Sequence, residues 1–110
     1  MSGVDETRAA VVLVVDDEEM IRLFVREALE QAGFQVCEAS NGAHALEQFA
    51  VRRPDLIIMD VVMPVMDGFA ACLKLRESVE GKRVPILVMT ALDDEDSIGR
   101  AYAYGATDFI

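Results

Sequence analysis

Carboxylates and a hydroxyl stand directly behind apolar runs at three places in the chain. Asp16 and Asp17 follow Val11-Val12-Leu13-Val14-Val15, Asp60 follows Leu56-Ile57-Ile58-Met59, and Thr90 follows the run from Val84 to Met89. One Asp in such a place is ordinary turn chemistry, because Asp opens loops readily. Repetition changes the reading. If the runs are parallel neighbours in one sheet, their C-terminal ends bring these groups to one edge, where open α/β sheets keep their ligand sites. Carboxylates about 4 Å apart repel by about 4 kcal/mol at an effective dielectric of 20. Such a cluster calls for a cation, and hard carboxylate oxygens suit Mg2+.

The elements that must position these groups follow from periodicity. A polar, small-residue leader over residues 1–9 precedes a first strand from Ala10 to Val15. Glu18 to Ala32 reads as a helix with Ile21, Phe24, Val25, Ala28, Leu29 and Ala32 on one face and Arg22, Arg26 and Glu30 opposite. Its acids stand in the first turn, and Gly33 caps its end. Phe34 to Ala39 is a strand diluted by Gln35 and Glu38, as an edge strand should be. Ser40 or Asn41 caps a helix with the stripe Ala43, Leu46, Phe49, Ala50, which Arg52-Arg53-Pro54 stops. The lone histidine on that helix, His44, is given no role.

Leu56 to Met59 is apolar throughout, which fits a parallel strand buried on both faces. After Asp60 comes a loop stiffened by Pro64 and closed by Asp67-Gly68. Phe69 to Glu77 is a helix with Phe69, Cys72 and Leu73 inward, and Val84 to Met89 is the fourth strand. The acidic run Asp93-Asp94-Glu95-Asp96 opens a further helix, and a fifth strand begins at Thr107. Regular alternation with short connections predicts an α/β fold with a doubly wound parallel sheet.

The totals narrow the function. The chain has 110 residues, enough for one domain, and 53% of them are hydrophobic, enough for a real core. A formal net charge of −10 argues against nucleic-acid binding by this domain, which needs clustered Lys and Arg. Cys37 and Cys72 lie in apolar surroundings without metal-ligand spacing and read as buried free thiols. No apolar run reaches the ~18 residues of a membrane span, and no signal peptide is evident, so a cytoplasmic protein is expected.

Taken together these motifs resemble the receiver domain of two-component response regulators. The resemblance rests on Asp16-Asp17, Asp60, Met63-Pro64, Asp67-Gly68, Thr90-Ala91 and Gly105-Ala106, and it runs from about Val11 to Ile110. It implies a five-stranded, flavodoxin-like sheet of order 2-1-3-4-5 in a domain covering residues 10–110, and a phosphoacceptor signalling function rather than an enzyme acting on a separate substrate. Asp60 would take a phosphoryl group as an acyl phosphate from a sensor histidine kinase or a phosphotransfer protein. Asp16, Asp17 and Asp60, with the backbone carbonyl of Val62, would hold Mg2+. Thr90 would donate its hydroxyl to the phosphoryl group, and its movement would let the aromatic Phe109 turn inward.

The family also places a lysine two residues beyond Ile110 and one more helix after it; the lysines here are Lys74 and Lys82. The expectation is therefore a domain cut inside its fifth strand and lacking its final helix. An output domain would lie beyond residue 110, and a homodimer could form through the uncovered face. A phosphatase of the haloacid dehalogenase type needs a second Asp two positions after the nucleophile, where Val62 stands. Neither GxGxxG nor GxxxxGK occurs, which removes the common nucleotide loops. The remaining rival is a receiver-fold interaction module that works without phosphorylation.

Overall fold

The computed structural model describes residues 9–60, 68–89 and 105–109. Its strands are β1 (Val11–Val15), β2 (Gln35–Ala39), β3 (Leu56–Met59), β4 (Ile86–Val88) and β5 (Asp108–Phe109), and its described helices are α1 (Glu19–Gln31), α2 (Gly42–Arg52) and α3 (Gly68–Glu77). The five strands form one sheet in the order β2-β1-β3-β4-β5, every neighbouring pair parallel. Strand order, strand direction and the edge position of β2 are those expected. Eight leader residues, the 61–67 loop and the segment 90–104 with its acidic run lie outside the described residues.

Alternation along β1 divides the core between the two sheet faces. Val12 and Val14 join Val36 and Ile58 on one face, where Val25 and Leu29 of α1 pack on them. Leu13 and Val15 join Cys37, Ala39, Ile57 and Met59 on the other, covered by Ala45 and Phe49 of α2 and Ala71, Cys72 and Leu75 of α3. Both cysteines are free and buried, and burial pushes the Cys37 thiol above its ordinary value.

The helix ends follow local chemistry. Gly33 sits at φ 97°, and the amides of Gly33 and Phe34 donate to the carbonyls of Glu30 and Leu29, closing α1. Asn41 rather than Ser40 caps α2, its side chain accepting from the His44 amide at 2.8 Å. Arg53, forced out of helical geometry by Pro54, ends α2 at φ 46°. At the end of α3, Arg76 donates to the carbonyls of Gly81, Val84 and Gly105 and to the Thr107 hydroxyl, at 2.6–3.2 Å.

Two expected helix faces are corrected. Leu73 is not inward: it is 47% exposed, while Leu75 is buried with Ala71 and Cys72. Successive helical residues turn by about 100°, so a face built on 71, 72 and 75 leaves 73 outside. On α1, Phe24 is 75% exposed, and Arg22 and Arg26, assigned to the opposite face, lie over β2 instead. Glu38 draws them there. It shares its side of β2 with Val36, and α1 meets that side with two guanidinium groups.

Candidate phosphoacceptor site

β1 and β3 are adjacent parallel strands with Val15 opposite Met59. The next residue on each is an acid. The Asp60 amide donates to the Val15 carbonyl at 2.9 Å and the Asp16 amide to the Ala39 carbonyl at 3.1 Å. The sheet ladder thus fixes both backbones at the point where the side chains leave the sheet. Asp16, Asp17 and Asp60 bring one carboxylate oxygen each within 4.8 Å of one another. Asp16 is buried, Asp60 half-buried and Asp17 exposed, which makes a cluster open on one side.

Electrostatics in this cluster oppose full ionisation. Burial pushes the Asp16 carboxyl above its ordinary value of 3.8. The Glu18 amide, donating to its Oδ1 at 2.9 Å, pulls the other way. The charges of Asp60 and Asp17 and a hydrogen bond with Asp17 add to the rise. Three anionic oxygens at this separation are a donor set for one hard divalent cation, with an open side left for water or a phosphoryl oxygen.

The structure therefore brings Asp16, Asp17 and Asp60 together. On β4, Met89 donates its amide to the Met59 carbonyl at 2.8 Å, one residue before Thr90. Thr90 itself and Val62 lie outside the described residues. The backbone of Phe109 pairs with Val88 in β5, and its side chain is outside the description.

Sequence reasoning missed one residue. Arg22 donates from Nη1 to the Asp16 carbonyl at 2.7 Å and from Nε to Glu38 Oε1 at 3.1 Å. Helical periodicity carried no sign of it, because both partners come from other elements.

Comparison with known proteins agrees with this architecture. The sequence model of the response regulator receiver domain matches residues 12–110. The chain is 39% identical over 99 residues to the alkaline phosphatase synthesis transcriptional regulatory protein PhoP of Bacillus subtilis, covering 90% of this chain and 40% of that protein. It thus spans well under half the length of that curated relative. Among solved structures, the Vibrio cholerae chemotaxis protein CheY4 superposes with a TM-score of 0.90 at 38% identity, covering 94% of this chain and 86% of that one. The receiver domain of a sensor histidine kinase from Pseudomonas aeruginosa, described with a magnesium ion coordinated in its active-site cleft, gives a TM-score of 0.86 at 27% identity over 94% of this chain and 84% of that one. Agreement in sequence and in backbone over nearly the whole chain has one meaning: it belongs to the response regulator receiver domain family.

Proposed function

We propose that Asp60 is the phosphoacceptor of this domain and that the cluster it forms with Asp16 and Asp17 holds Mg2+. The observation that carries the reading is the approach of these three carboxylates within 4.8 Å at the ends of adjacent strands. Asp16, Asp17 and Asp60 supply the side-chain oxygens, and the Val62 carbonyl is the further ligand implied by family resemblance. When bound, the ion offsets negative charge on the carboxylates and on the incoming phosphoryl group.

The protein's own part is placement. A carboxylate oxygen of Asp60 attacks the phosphorus of a phosphohistidine on a sensor kinase or phosphotransfer protein. The N–P bond breaks, its electron pair returns to the imidazole nitrogen, and an acyl phosphate remains on Asp60. Asp60 is held for this step by its ladder bond to Val15. Thr90 turns its hydroxyl to the new phosphoryl oxygens, a charged acceptor, and Phe109 follows into the space vacated. The chain works here as a signalling domain that catalyses its own modification, and it controls an output domain or a partner protein. The two buried free thiols suit a reducing cytoplasm, and no described helix is long and apolar enough to cross a membrane.

The test uses acetyl phosphate with Mg2+ on the parent chain and on Asp60→Asn. The parent should acquire hydroxylamine-labile phosphate, and Asp60→Asn should stay folded and acquire none. Thr90→Ala should take up phosphate with a weakened conformational response. Label persisting in Asp60→Asn would assign the chemistry to another residue. A parent that takes up none would favour the phosphorylation-independent interaction module.

A further inference from the structure

We infer that Arg22 is a positioning residue for the acidic cluster: it anchors the backbone of Asp16 to β2 and so sets the cluster's affinity for a divalent cation. The inference rests on the proposed Mg2+ site and concerns a residue outside the cation's own ligands.

Asp16 is the first residue after β1 and must hold its carboxylate toward Asp60 while the chain turns into α1. Its amide is tied to β2 through the Ala39 carbonyl at 3.1 Å. Its carboxylate oxygen Oδ1 accepts the Glu18 amide at 2.9 Å. Its carbonyl would be free to swing if only the ladder held it. Arg22, one helical turn on from Glu18, closes that gap with the 2.7 Å bond from Nη1. The guanidinium is itself braced, since Nε donates to Glu38 Oε1 while Arg26 holds Glu38 Oε2 at 2.6 Å. Glu38 lies opposite Val14 in the β1–β2 ladder, and the next residue, Ala39, carries the carbonyl that binds Asp16. Arg22 thus links Asp16 to the same stretch of β2 from a second direction. Its side chain is 16% exposed, shielded enough for a fixed, forked geometry.

Arg26 is a matched control. It is a guanidinium on the same helix, bound to the same glutamate and to Glu30 at 3.1 Å, and no hydrogen bond to Asp16 is recorded for it among the described residues. The sign of the effect also separates two roles. If Arg22 acted on the cluster only through its positive charge, its removal would strengthen cation binding. A positioning role predicts weakening.

The experiment measures Mg2+ affinity by calorimetric titration of the 110-residue chain. It also measures exchange of the Glu18 amide proton in metal-free solution, which reports whether the Asp16 turn is held. Arg22→Met should bind Mg2+ about tenfold more weakly, the range seen when a group that orients a metal ligand is lost. Its Glu18 amide should exchange about tenfold faster through local opening. Arg26→Met loosens the brace on Glu38 but leaves the bond from Arg22 to Asp16 in place, so it should lose less than Arg22→Met in both, about twofold. Arg22→Lys keeps the charge and loses the fork, and carries the test if Arg22→Met fails to fold; a loss of about threefold is expected. Unchanged or tighter Mg2+ binding in the Arg22 variants, unchanged Glu18 exchange, or equal losses in the Arg22 and Arg26 variants would overturn the positioning role alone. A parent chain that binds no Mg2+ would overturn the metal reading and this inference with it.

Discussion

The amide of Asp60 donates to the carbonyl of Val15, so the β1–β3 ladder runs one bond past the strands and ends between the proposed phosphoacceptor and the acidic pair. The distance between Asp60 and Asp16 is therefore set by strand register, with Val15 opposite Met59, and owes little to loop conformation. A site built on rigid elements keeps its geometry better than one built on loops.

Cation binding should stabilise the native chain. A ligand at tenfold over its Kd adds about 1.4 kcal/mol to a state that alone binds it. A Mg2+ titration followed by thermal unfolding should show a rising midpoint in the parent. Asp17→Asn removes one of the three carboxylates and should lose most of that rise. A midpoint that does not move in the parent contradicts a cation site in this cluster.

Acidity should act on Asp16 with a defined sign. Its carboxyl is raised above 3.8, chiefly by burial, so over a window starting near that value the folded chain binds more protons than the unfolded one. The stability this group contributes is complete below 3.8 and lost as pH climbs through the raised native value. Without metal, Asp16→Asn should match the parent at the acid end and gain on it as pH rises. Mg2+ should shrink that advantage or reverse it, because the ionised carboxylate is its ligand. Urea unfolding of both chains across this window, with Mg2+ and with a chelator, measures the difference.

Much of this was legible in sequence because strand ends and turn residues act locally. The apolar run Leu56 to Met59 and the acid behind it stand where expected, as do Gly33 and the stop at Pro54. The strand order needed family resemblance, since parallel strands exchange partners through crossovers that leave no mark on periodicity. What stayed hidden depends on partners distant in the chain. Arg22 looked like a solvent-facing residue until Glu38, sixteen positions on, came beneath it. Leu73 looked inward because α3 is apolar over several consecutive residues, and only packing against α2 picks Ala71, Cys72 and Leu75.

That choice of face is measurable. Leu75→Ala empties a fully packed position and should cost about 2–5 kcal/mol in chemical denaturation. Leu73→Ala, at a half-exposed position, should stay within about 1 kcal/mol. Similar losses from the two would mean that α3 is rotated from the orientation found.

Two glycines at positive φ separate backbone strain from crowding. Gly33, at φ 97°, has open space where a Cβ would be, so Gly33→Ala should cost about 1–2 kcal/mol from conformation alone. Gly105, at φ 106°, would place that Cβ 2.8 Å from Arg76 Cγ. Gly105→Ala should therefore cost more, by about 1 kcal/mol or above. Thermal unfolding of the two single variants ranks them, and equal costs would show that Arg76 yields freely.

The hydrogen bonds of Arg76 also bear on how far a disturbance can travel. Val84 enters β4 and Gly105 leads toward β5, and both give their carbonyls to one guanidinium. One side chain of α3 thus fastens the approach to β4 to the approach to β5, and such a tie between distant chain positions meets a closure cost that grows only slowly with the length between them. Arg76 works as a buckle, and a substitution there would be felt as looser chain topology before it was felt as lost charge.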